Sequence, residues 1–272
     1  MINAIPTLER IQDAHSWKRE YEKYLPISRF LFRPLGFLLT WLAVRLGLTS
    51  EAVSWISGAV GLAGCFCLIS GDAELLSTGI GLLLLFNLLD CVDGSIARTM
   101  KTENPYGRFL DSLCGGIIDL IFWGIIGVAA FQHPNLTFWQ DPFGYGPLFW
   151  LVLGFTTSYL NIFHGYIERT FDELLRKYWE QSHGAGNEIS VTASRADRID
   201  ASTNSRTKKI LRMINNNLRV RETHYMLILV TYLVKAIDIP LLLYFFYYLS
   251  QNILLLIVYS HRGRIAKKQQ AQ

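Results

Sequence analysis

Apolar residues in this chain come in long blocks separated by short polar breaks. They neither alternate at a strand's period of two nor form the single stripe of a soluble helix. Blocks of spanning length cover residues 52–71, 76–97, 108–131, 147–168, 224–238 and 240–260. A hydrocarbon layer about 30 Å thick takes about 20 apolar residues per helix. Inside it, backbone polar groups must be satisfied within the segment, which points to helices. The pattern predicts an all-α polytopic membrane protein with six transmembrane helices, the fifth borrowing a turn from the residues before it. Residues 1–51 are expected to form cytoplasmic and interfacial helices. Residues 52–261 form the membrane domain, with 169–222 as a basic cytoplasmic loop, and 262–272 a cytoplasmic tail.

Composition agrees: 51% of the 272 residues are hydrophobic and 18% charged, too few charges for a water-soluble globule of this apolar content. The placement of the 26 Lys and Arg sets the topology. Seven precede residue 52, three lie from Arg98 to Arg108, eleven from Arg169 to Arg221, four follow Tyr259, and Lys235 sits in a block. The connections around Asp72, over 132–146 and over 238–240 carry none. Positive charge stays on the cytoplasmic side, so both termini are expected there. Residues 30–47 would pass for a seventh span, but that would carry Arg10, Lys18, Arg19, Lys23 and Arg29 outward. With Arg33, Pro34 and Arg45 near its ends, the segment is expected to lie in the interface as a helix. Residues 8–25 are expected to form a second surface helix, and 182–217, rich in Ser, Thr, Asn and Arg, a mobile loop. The N-terminus lacks the apolar core of a secretory signal, so the first span is expected to direct insertion. Cys65, Cys67, Cys91 and Cys114 fall in or beside apolar blocks without zinc-site spacing, and neither disulfide nor zinc is expected. A net charge of +4 gives a nucleic-acid partner little support, and none is expected.

Chemistry concentrates in LLDCVDGSIARTMKTENPYGRFLDSLCGGIIDL, which puts Asp90, Asp93, Asp111 and Asp119 at or inside span ends, where carboxylates are costly. Asp90 and Asp93 are three apart and share one helix face. Gly94 and Gly107 leave room for a ligand or a close backbone. The short link from Thr99 to Tyr106 makes the flanking helices neighbours, so Asp111 can face the first two acids. Three clustered carboxylates need cations, and all-oxygen ligation favours Mg²⁺ or Mn²⁺, ions that also bind substrate phosphates. Phosphate chemistry is implied, with Arg98 or Arg108 holding a further phosphate oxygen. A cation transporter would also explain acids in spans, but not the Ala, Arg and Gly spacing.

The pattern DxxDGxxAR, eight residues, then GxxxD fixes seven positions, a chance event on the order of once in 10⁹ starting points. Asp90, Asp93, Gly94, Ala97, Arg98, Gly107 and Asp111 at these spacings resemble the signature of the CDP-alcohol phosphatidyltransferase family. The resemblance implies a membrane enzyme that moves a phosphate-bearing group from a CDP-linked donor, CDP-diacylglycerol or a CDP-alcohol, to an alcohol acceptor, releasing CMP. It implies that Asp90, Asp93 and Asp111 hold two divalent ions, that Asp90, Gly94, Ala97, Arg98 and Gly107 border the cytidine diphosphate, and that the protein works among membrane lipids as a homodimer. The family pattern continues with another Asp, a metal ligand and base, where this chain has Gly115. Asp119 lies one turn further, about 6 Å along the axis. Three alternatives stand: Asp119 acts through a water, His164 serves as the base beside Asp111, or transfer is lost or altered. A base contributes about 10²–10⁴-fold. The rival expectation is a degenerate relative that binds metal and CDP-nucleotide as a scaffold or regulator.

Overall fold

A computed structural model describes residues 6–16, 22–176 and 206–270, and among these every regular element is helical. In chain order they are α1 (Leu8–Asp13), a π-helical turn (Ser28–Phe32), α2 (Arg33–Arg45), α3 (Ser50–Ile69), α4 (Ala73–Met100) and α5 (Pro105–Gln132). Short 3₁₀ turns at Pro134–Leu136 and Pro142–Gly144 precede α6 (Leu148–Leu174), α7 (Arg206–Leu218), α8 (Arg221–Leu233) and α9 (Asp238–Gln270). Among the described residues, four helices are long and apolar enough to cross a membrane: α3, α4, α5 and the Asp238–Ile265 part of α9.

The fourth and fifth expected spans differ from this set for separate reasons. Helix α6 has the length, 27 residues, but Thr156, Thr157, Ser158, Asn161 and His164 interrupt its apolar run. Helix α8 has 13 residues, about 20 Å at 1.5 Å per residue. It begins at Arg221, gaining the expected earlier turn, but stops at Leu233 because Lys235 takes a left-handed φ of 57°. Of the surface helix expected over 8–25, Leu8–Asp13 is helical, with the Thr7 hydroxyl accepting the Arg10 amide, and residues 17–21 lie outside the described ones. Arg206–Leu218 is a helix rather than loop: Ile210 and Ile214, and Leu211 and Leu218, recur at helical spacing among the polar residues. The rest of that expected loop, 182–205, is outside the described residues.

The chain divides into two compact units. The first comprises residues 1–118 and 193–234. Here α3 lies close along α4, since Gly64 and Gly79 meet at their backbones: a Cβ on Gly79 would stand 2.9 Å from the Gly64 carbonyl oxygen. Gly58 faces Cys114 of α5, whose Sγ would be 2.9 Å from a Cβ there. Ala43, Val53, Val92 and Ile96 form a buried apolar cluster under α2. The second unit comprises residues 119–192 and 235–272. Gly127 and Gly154 bring α5 and α6 into backbone contact, and the buried Trp123 stacks on Tyr244 of α9 at 4.3 Å between ring centroids.

Candidate active site

Helix α4 ends as Lys101 turns into the left-handed region (φ 56°) and the Thr102 amide donates back to the Ala97 carbonyl at 2.9 Å. Asn104 then opens α5, its side-chain oxygen accepting the Gly107 amide at 2.7 Å, an N-cap that satisfies one of the helix's orphan donors. This tight link folds the chain back. The last turns of α4 and the first turns of α5 therefore line one open pocket, whose walls include Ser54, Asp93, Gly94, Ala97, Gly107 and Asp111.

Asp93 is 3% exposed. One carboxylate oxygen accepts the Ser54 hydroxyl and the other the Gly94 amide, while the Ser50 hydroxyl donates to the Asp93 backbone carbonyl at 3.0 Å. A buried carboxylate needs such donors; α3 supplies one, from Ser54, and one turn earlier Ser50 holds the Asp93 backbone. Asp111, exposed, borders the same pocket from α5.

Asp90 does not line that pocket. Its two carboxylate oxygens accept Nη1 of Arg221, the first residue of α8, at 3.1 and 3.0 Å. The guanidinium also stands 5.8 Å from the Phe86 ring centre, within cation–π range. It fits because residue 115 is glycine: a Cβ there would lie 2.8 Å from both Cζ and Nη1 of Arg221.

Arg98 is held from the N-terminal segment. Its Nε and Nη2 lie 3.2 and 2.8 Å from Nε2 of His15, which is 1% exposed. Nδ1 of His15 is 3.1 Å from the Ile11 carbonyl, a group that only accepts, so the proton sits on Nδ1 and Nε2 receives the guanidinium. Asp119 and His164 belong to the second unit. The Asp119 backbone carbonyl accepts Nδ2 of Asn161 at 3.3 Å, and the buried His164 lies 3.8 Å from Glu168.

Among the described residues no three His, Cys, Asp or Glu side chains gather to hold a metal ion. The expected trio divides, with Asp93 and Asp111 on one pocket and Asp90 on Arg221. Two carboxylates beside a serine hydroxyl suit one Mg²⁺ or Mn²⁺, ions commonly held by one or two carboxylates, with waters and substrate phosphates filling the shell. Ser54, His15 and Arg221 were not among the residues singled out from the sequence. Ser54 had a signal, the hydroxyls of Ser50, Ser54 and Ser57 recurring along α3. Arg221 had none, being 131 residues from Asp90.

A curated relative, the phosphatidylinositol phosphate synthase of Mycobacterium marinum (strain ATCC BAA-535 / M), is 31% identical over 106 residues, 39% of this chain and 44% of its own. The chain thus matches less than half the length of that relative. The profile of the CDP-alcohol phosphatidyltransferase family matches residues 35–164. That stretch contains α3, the α4–α5 link and the whole pocket, and over it the chain is similar to the CDP-alcohol phosphatidyltransferase family.

Proposed function

We propose that the chain is a membrane transferase of phospholipid synthesis, moving a phosphate-bearing phosphatidyl group from a CDP-linked donor to an alcohol acceptor and releasing CMP. The observation that carries this reading is the pocket at the α4–α5 link, where two aspartates share one space with Gly94, Ala97 and Gly107 inside the family-matched stretch. A Cβ on Gly94 would stand 3.1 Å from both Nη1 and Nη2 of Arg98, so this glycine makes room for the guanidinium beside the pocket, and Gly107 leaves the start of α5 open to a diphosphate. Arg98, fixed by His15, offers positive charge to a phosphate oxygen. Ser54 holds the Asp93 carboxylate toward the pocket. A divalent ion at Asp93 and Asp111, when bound, neutralises phosphate charge and eases departure of the CMP group. Asp119 and His164 are the candidates for taking the acceptor proton. The cation distribution puts this pocket and both termini on the cytoplasmic face, with α6 and α8 completing six crossings and a second copy completing a homodimer.

The test is CMP release from CDP-diacylglycerol by detergent-purified protein with Mg²⁺ or Mn²⁺ across a panel of alcohols. The name of the Mycobacterium relative makes phosphatidylinositol phosphate the first product to look for. Release that depends on an acceptor and falls at least 100-fold in Asp93→Asn is expected; silence with every acceptor overturns the reading. The seating of Arg221 beside Gly115 favours a second reading, a relative that binds the nucleotide without turning it over. Cytidine diphosphate binding without CMP release would select it.

A further inference from the structure

Among the acids of the first unit, Asp90 is distinguished by the company it keeps. Three features fix a guanidinium against it. The first is space: the volume a side chain at residue 115 would occupy is filled by Arg221, with Cζ and Nη1 only 2.8 Å from where a Cβ would stand. The second is anchoring, since the turn that presents Arg221 is tied down on both sides. Asn217 donates to the Tyr24 carbonyl at 2.7 Å, Ser28 donates to Glu222 at 2.8 Å, and His224 Nε2 lies 2.9 Å from the Leu218 carbonyl. The third is electrostatics. A cation at the first residue of a helix stands at the positive end of the macrodipole, which disfavours it, so Asp90 and the Phe86 ring supply the compensating attraction. Side-chain exposures of 26% for Arg221 and 21% for Asp90 mean that the pair is screened by water only in part.

We propose that Arg221 is a resident cation of the site: its guanidinium, seated in the space of Gly115 on the Asp90 carboxylate, stands in for one divalent ion, so that the chain binds one such ion, at Asp93 and Asp111, instead of two. This rests on the transferase reading above. Gly115 and Arg221 then form one unit: a carboxylate at residue 115 would need the guanidinium to leave, and the guanidinium at its present place needs a residue without a side chain.

The experiment counts Mn²⁺ bound to the full detergent-solubilised chain by electron paramagnetic resonance and isothermal titration, alongside binding of cytidine diphosphate. The wild type is expected to bind one Mn²⁺, lost in Asp93→Asn, and the double variant Gly115→Asp, Arg221→Gln to bind two. Arg221→Gln alone, which leaves Gly115 in place, is expected to bind its Mn²⁺ at least tenfold more tightly because Asp90 has lost its counter-charge. Two ions in the wild type, one ion in the folded double variant, or unchanged affinity in Arg221→Gln each overturn the proposal. A wild type that binds nucleotide with two ions overturns this inference alone. A wild type that binds neither Mn²⁺ nor nucleotide overturns the transferase reading with it.

Discussion

The Asp93 carboxylate is buried against a hydroxyl and an amide, so its orientation depends on Ser54 of the neighbouring helix as well as on Gly94 of its own. Ser54→Ala removes that donor and leaves a buried carboxylate oxygen short of a partner, which costs about 1–3 kcal/mol. A lowered midpoint of thermal unfolding in detergent, with Ser57→Ala as the comparison, checks this. His15→Phe keeps the aromatic packing on Phe37, 5.3 Å away, but removes the acceptor for Arg98. If Arg98 binds the donor, the variant is expected to raise KM for the CDP-linked donor about tenfold or more with little change in the acceptor's KM. A change confined to the acceptor would place Arg98 elsewhere in the reaction. The signature residues were legible in the sequence because their chemistry is local, with three acids, two glycines, an alanine and an arginine within a few turns of a hairpin. Their partners were not. His15 and Arg221 lie 83 and 131 residues from the groups they hold, and nothing in periodicity or spacing joins segments so far apart.

At the scale of elements, glycines decide which helices touch. A Cβ on Gly127 would stand 2.7 Å from the Trp150 carbonyl, and one on Gly154 2.6 Å from the Trp123 carbonyl. Backbone cannot give way as a flexible side chain can, so Gly127→Val and Gly154→Val are expected to destabilise by about 1–3 kcal/mol or more through forced separation of the helices. Gly165, on the same α6, has open space within 4 Å of where its Cβ would stand. Gly165→Ala is therefore expected to stabilise by about 0.5–1 kcal/mol through helix propensity. Thermal unfolding of the three variants separates packing from propensity. Apolar length was a good guide to α3, α4, α5 and α9, whose ends fall within a few residues of the predicted blocks except at the C-terminus of α9. It was a poor guide to α8, because a single left-handed residue, Lys235, ends that helix, and hydropathy carries no information about φ.

For the whole molecule, the distribution of Lys and Arg makes a topological prediction that packing does not. In a chain whose four cysteines have been replaced, Glu103→Cys is expected to react with a membrane-impermeant thiol reagent only from the cytoplasmic side and Gln140→Cys only from the opposite side. Both positions are exposed. Reaction of both from the same side would overturn the arrangement of spans. Such charge rules orient a chain but do not say how its pieces are fastened, and one fastening has a bearing on biosynthesis. Asp238, 1% exposed at the head of α9, accepts the amides of Phe138 and Trp139 at 2.7 and 3.1 Å, and the Ile237 amide donates to the Leu136 carbonyl at 3.0 Å. Ribosomes deliver the aromatic turn about a hundred residues before they deliver its acceptor. Until the last helix emerges, that turn has to wait with its amides hydrated, so a nascent chain arrested short of Asp238 lacks the carboxylate that fixes it.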